Sequence, residues 1–182
     1  MIDYSCGIGP TLLEAVMRTA LISLLLLLPF SAFAEARYTT PPYDPPQVVY
    51  DFYLDNPAKM GAALYWIRAL LNPLSEEPYG FAPEMMSIKV VIHGTELVTV
   101  ARRNYAKYRD EVERMRYYAA LGVEFKVCAL AAEEYHYVAT DFHDFIEIVP
   151  SAFTELVHWQ MQGHALITPQ VPERNHTLDD VR

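Results

Sequence analysis

Glycine and cysteine are scarce in this chain, and clusters of positive charge are missing. Seven of the 182 residues are glycine and two are cysteine. No Gly-x-Gly-x-x-Gly follows a strand-like run, and the one Gly-x-Gly, Gly7–Gly9, sits in an N-terminal leader. A Gly-x-x-x-x-Gly-Lys-Ser/Thr loop is absent too. Dinucleotides and nucleoside triphosphates are therefore not expected as ligands. Lysine plus arginine number 14 against 23 aspartates plus glutamates, a net charge of −9. With no basic stripe to replace phosphate counterions, the sequence excludes a nucleic-acid partner.

There is one long hydrophobic run. Thr19–Ala34 carries no charge, follows Arg18, and ends in Ala32-Phe33-Ala34 before Glu35. A positive flank, a short apolar segment and small residues at the end describe a secretory signal peptide cleaved after Ala34. The run is short for a membrane span, which needs ~20 apolar residues. An uncleaved N-terminal anchor is the alternative. Met17 precedes Arg18, so residues 1–16 fit a mis-called start. The expectation is a periplasmic or secreted protein with no stable membrane insertion after cleavage. Cys6 leaves with the leader, and Cys128 remains alone. A lone thiol in an oxidising compartment forms no internal disulfide; it is buried, pairs with another chain, or is reactive.

The full chain is 52% hydrophobic, which suits one globular domain plus extras. Residues 35–46 hold four prolines and no apolar periodicity, an extended linker. Gln47–Leu54 is β-branched and aromatic, a first strand. Asn56-Pro57 opens a helix with Met60, Leu64, Ile67 and Leu71 on one stripe, which Pro73 is expected to stop. Residues 72–86 read as loop. Ser87–His93 is a second strand, nearly all apolar, as in a sheet covered on both faces. The spacing of Ala101, Tyr105, Tyr108, Val112, Met115 and Ala119 predicts a long helix over 98–120, closed by Gly122. Val123–Cys128 is a third strand and Ala129–Tyr137 a short helix. After a turn at Asp141–Asp144, Ile146–Val149 is a fourth strand. Ser151 caps a helix to Gln162, and His164–Thr168 is a fifth strand. Residues 170–182 form a polar tail, expected to be disordered. Strands alternating with helices mean an α/β fold with a mostly parallel, five-stranded sheet and helices on both faces. Reactive groups in such sheets sit at the carboxyl ends of the strands, where His93 and Cys128 fall.

The segments VVIHG (90–94), GVEFKVCA (122–129), the VPS of 149–151 and ELVHWQMQGHALITP (155–169) resemble the DsrE/DsrF-like sulfur-relay family. The resemblance covers 47–169. It implies a flavodoxin-like three-layer sandwich, small homo- or hetero-oligomers, and a persulfide carried on the cysteine matching Cys128. The best-understood members are cytoplasmic, whereas this chain carries an export leader. A basic or small segment, often ending in Arg-Gly, is expected after the cysteine; LAAEEYHYVATDF stands there instead. Cytoplasmic relay partners are therefore not carried over.

Two site residues follow, Cys128 and His93. Cys128 between a strand end and a helix start gains backbone amides and a dipole that favour a thiolate, which Glu133 and Glu134 oppose. The plain alternative is a space-filling buried cysteine. His93 is a candidate proton donor or orienting group beside the thiol; alternatively its ring bonds a loop carbonyl. His136, Asp141, His143 and Asp144 are metal-ligand types, but their spacing matches no standard zinc site, so no metal is expected, and a solvated turn near the Cys128 mouth is the reading kept. Tyr135, His136 and Tyr137 fit a shield over a persulfide or an oligomer contact. No nucleophile–base–acid set of a hydrolase is found. No cofactor is required, because thiolate attack on sulfur needs only a poised cysteine and an in-line acceptor. The partner expected is a thiol or sulfane-sulfur donor or acceptor, with a homo-oligomeric assembly. A non-catalytic binding or assembly module of the same fold is the competing reading.

Overall fold

A computed structural model describes residues 35–182. The leader, its cleavage point and Cys6 lie outside the described residues. Residues 35–39 have no regular structure, and Thr40–Arg182 form one compact unit. Five strands, β1 (Gln47–Phe52), β2 (Ser87–Ile92), β3 (Glu124–Cys128), β4 (Ile146–Val149) and β5 (Ala165–Ile167), make a single sheet in the order β4-β3-β2-β1-β5. Every neighbouring pair is parallel. Among the described residues four α-helices accompany it: α1 (Met60–Ser75), α2 (Arg109–Ala120), α3 (Ala129–Glu134) and α4 (Ala152–Met161). Among the described residues no helix is long and apolar enough to cross a membrane.

Side chains alternate across a strand, and the register sorts them onto two unlike faces. Val48, Tyr50 and Phe52 of β1 align with Ile88, Val90 and Ile92 of β2, and the latter two with Phe125 and Val127 of β3. All are buried and pack against α1 and α2, which bring Met60, Leu64, Ile67, Leu71, Val112 and Met115. Tyr50 donates its hydroxyl to the Trp66 carbonyl at 3.0 Å, which satisfies that phenol inside the core. The opposite face carries Lys89 and Lys126, both buried, under α4. Lys126 pairs with Glu147, with Glu124 at 3.2 Å and with Glu155 of α4 at 3.7 Å; Lys89 pairs with Glu124. Both ammonium groups lie over the Trp159 ring, at 4.5 and 5.8 Å. The second strand is thus not apolar on both sides: its alternation already contained Ser87, Lys89 and His93 on the α4 face.

Several predicted boundaries differ, each for a local reason. Pro73 does not stop α1, which runs to Ser75; in the last turn the missing amide removes a single bond, and Glu76 N–H closes onto Asn72 at 3.2 Å. The helix predicted over 98–120 is only α2. Residues Thr95–Val100 and Arg102–Asn104 are 3₁₀ turns, and Ala101 is extended and bridges Phe142. The Asn104 amide donates to the Val98 carbonyl at 2.8 Å, competing with a helical ladder. The helix α3 ends at Glu134 rather than Tyr137, because His136 turns left-handed (φ 58°) and Tyr137 N–H closes on Ala132 at 2.8 Å. Gly122 (φ 94°) and Ser151, whose hydroxyl accepts from Phe153 N–H at 3.3 Å, terminate and cap as expected. The tail is not free from its start: Pro169 is buried and Val171 packs against the core.

Candidate functional site

The carboxyl rim of β1, β2 and β3 brings three reactive side chains onto the α4 face. Asp51 is next to last in β1, His93 follows β2, and Cys128 ends β3. The β2–β3 register, Ile92 opposite Val127, sets His93 level with Cys128. Period-2 alternation then puts Asp51, His93 and Cys128 on one side of the sheet.

The turn that carries His93 is tightly built. A Cβ on Gly94 would lie 2.5 Å from a Glu96 carboxylate oxygen and 2.6 Å from the Leu54 nitrogen, so only glycine fits. Glu96 is fully buried, and its carboxylate accepts the amides of Leu54 (2.8 Å), Gly94 (2.9 Å) and His93 (3.2 Å). Burial pushes its carboxyl up, while those amide bonds oppose the shift. Glu96 thereby ties the ends of β1 and β2 together and fixes the His93 backbone.

The His93 ring is held from three sides. Its Nε2 meets Asp51 Oδ1 at 2.6 Å. Tyr53 stacks on it at 4.9 Å, and Phe153 meets it edge-on at 5.7 Å. A carboxylate only accepts, so the His93 Nε2–H donates to Asp51. Asp51 in turn receives the Thr168 hydroxyl at 3.5 Å. Cys128, 5% exposed, precedes α3 and is the free cysteine among the described residues. A cavity of about 480 Å³ opens over the rim, lined by Asp51, Tyr53, His93, Cys128, Leu130, Ala131, Glu134, Ser151 and Phe153. Chemically this is a thiol and an oriented imidazole sharing one small, largely apolar chamber.

A sequence model of the DsrE/DsrF-like family matches residues 40–169. The chain belongs to the DsrE/DsrF-like family. Its fold is shared by the solved structure of a protein of unknown function from Methanobacterium thermoautotrophicum, at 20% identity and a TM-score of 0.53, covering 68% of this chain and 99% of that one. No curated protein matches the chain.

In this DsrE/DsrF-like domain the two sequence candidates, Cys128 and His93, come together. The expected loop carbonyl on His93 is replaced by the Asp51 carboxylate. The other candidates lie elsewhere. None of His136, Asp141, His143 and Asp144 lines the cavity. His143 is only partly exposed: it stacks on Phe145 at 5.8 Å with its Nε2 buried and unpaired, and burial, Arg116 and Arg102 push its pKa down. Among the described residues no three His, Cys, Asp or Glu side chains are grouped to hold a metal ion. Tyr137 packs on Phe142 and under Arg103 instead of covering the cysteine, and Tyr53 and Phe153 form the aromatic wall. Sequence reasoning missed Asp51 and Glu96, while Glu134, expected to oppose the thiolate, lines the cavity. For Asp51 a signal existed, since counting back by two along β1 from Tyr53 puts an acid on that strand's rim.

Proposed function

We propose that this protein is an exported sulfur carrier that holds a sulfane sulfur as a persulfide on Cys128. One observation carries the reading: Cys128 lines the same cavity as His93, whose ring Asp51 orients. The imidazole takes the thiol proton and the sulfur attacks as thiolate. The start of α3 offers its amides to the resulting anion. Membership of the DsrE/DsrF-like family supports a sulfur-relay role, and the leader at residues 1–34 supports a periplasmic or secreted location. The test is the intact mass of the protein after incubation with polysulfide. Wild type gains sulfur on Cys128 and Cys128→Ser does not; an unloaded wild-type cysteine, where a known carrier loads, rules the reading out.

A second reading, an oligomeric assembly module with an inert cysteine, is favoured by the outer side of α4. Phe153, Val157 and Met161 lie on one stripe there and are exposed at 71, 54 and 79%. A second copy of the chain seated on this stripe gives the homo-oligomer expected from the sequence. The two readings part on whether the Cys128 thiol reacts in the folded protein.

A further inference from the structure

The charge around the cavity bears on which sulfur compound enters it, an inference that rests on the carrier reading. Among the described residues its charged lining groups are Asp51 and Glu134, with no lysine or arginine beside them. The nearest cations on the same sheet face, Lys89 and Lys126, are buried and engaged by Glu124, Glu147 and Glu155. This face therefore sets two cations against five carboxylates. Of the two helix starts at this rim, that of α3 carries Cys128 and serves its thiolate, and that of α4 is already occupied. Ser151 accepts its Phe153 amide, and Glu155 stands in its first turn. A narrow, low-dielectric chamber with walls of one sign repels ligands of that sign and concentrates the opposite one. The mouth adds apolar surface: Tyr53, Leu130 and Phe153 are exposed at 70, 62 and 71%. With Cys128 only 5% exposed, the donor sulfur has to enter the chamber, and 480 Å³ suits a small molecule.

We infer that the cavity selects small sulfane-sulfur donors without negative charge, and aminoalkyl persulfides foremost. The ammonium meets Glu134, and the carbon chain lies on Tyr53 and Phe153. The Cys128 thiolate attacks the terminal sulfur of the donor R–S–SH. A bond forms from the cysteine sulfur to that sulfur, the donor S–S bond breaks, and R–S⁻ leaves with the electron pair. The proton taken from Cys128 by His93 passes to the leaving thiolate. Thiol plus persulfide become persulfide plus thiol, with no net oxidation. Thiosulfate and carboxylate-bearing persulfides are disfavoured.

The experiment uses the full chain carrying Cys6→Ser. Cys128 labelling is timed with 2-aminoethyl and 2-sulfonatoethyl methanethiosulfonate, each rate divided by that of a simple free thiol. The cationic reagent is expected to lead by about tenfold after this correction, and Glu134→Gln to cut the lead about threefold. A corrected ratio of one or below, or no labelling of the folded protein, overturns the selectivity. In a second arm, sulfur loading from 2-aminoethyl persulfide is compared with loading from thiosulfate. Equal loading removes the selectivity and leaves the carrier reading; charge-selective labelling with no sulfur loaded from either removes the carrier reading and leaves the selectivity.

Discussion

The two faces of one sheet obey different physics. On the α1–α2 side, Phe52, Ile92, Phe125 and Val127 are fully buried among other apolar groups. On the α4 side, the same strands present Lys89, Lys126 and Glu124 in mid-sheet and Asp51, His93 and Cys128 at the rim. The first face stabilises the domain by burial, at roughly 1.5–3 kcal/mol for each large side chain removed from water. The second gains little net stability from its ion pairs, since desolvation offsets attraction. It does place charge and a nucleophile where the parallel fold leaves a crevice. The lesson is a division of labour along strand parity: even-numbered residues of β1 and β2 are the apolar core, and the odd-numbered side adds Lys89, Asp51 and His93 to the buried Val49 and Val91.

Substitutions on the two faces should therefore separate stability from loading. The largest effect belongs to Phe125→Ala, expected to cost about 3–5 kcal/mol in urea unfolding while the folded fraction still loads sulfur. Next comes His93→Gln, expected to slow sulfur loading about a hundredfold at neutral pH with little change in unfolding midpoint. If it instead behaves like Phe125→Ala, the rim is part of the core and the division fails.

Lys126→Met should destabilise by about 2 kcal/mol by leaving carboxylates unpaired, less than a fully buried pair would lose, because Glu124 and Glu147 are partly exposed and can relax toward water. Its pH dependence follows from the pair. Burial pushes the Glu124 carboxyl up, but hydrogen bonds from Lys89 and Lys126 outweigh it and hold it below its ordinary 4.5. Burial lowers Lys126, and bonds to Glu147 and Glu124 outweigh that and hold it above 10.5. A depressed carboxyl stabilises above 4.5 and loses that contribution as pH falls through its folded value. A raised ammonium stabilises below 10.5 and loses it as pH rises through its folded value. The difference between Lys126→Met and wild type should therefore be greatest between these limits and shrink outside both, as checked by unfolding across pH. The smallest effect is that of Asp51→Asn, about tenfold on loading. It acts by releasing the His93 tautomer, so it should shift the pH profile of Cys128 labelling as well as its rate. A drop in rate with an unmoved profile would make Asp51 structural only.

Much of this was legible in the chain. Apolar runs, the Ser151 cap and Gly122 gave the strands and their helices, and the αβ alternation put Cys128 and His93 on the rim. What escaped was set by contacts between distant segments. Ala101 leaves the helical pattern where it bridges Phe142, 41 positions away in sequence, a contact that no stripe reveals. Glu96 carried no signal in the chain, yet it is buried because three amides from two strand ends converge on it. The strand reading passed over Lys89 and Lys126, which the register aligns with Glu124 and Glu147.

The central claim, that the rim of the charged face is an open reactive site, is tested most directly by the thiol itself. In the folded full chain carrying Cys6→Ser, Cys128 is treated at neutral pH with a small uncharged thiol reagent, with and without denaturant. The account predicts complete labelling of the folded protein, slowed by His93→Gln. A thiol that reacts only after unfolding would contradict it and leave Cys128 as part of the core.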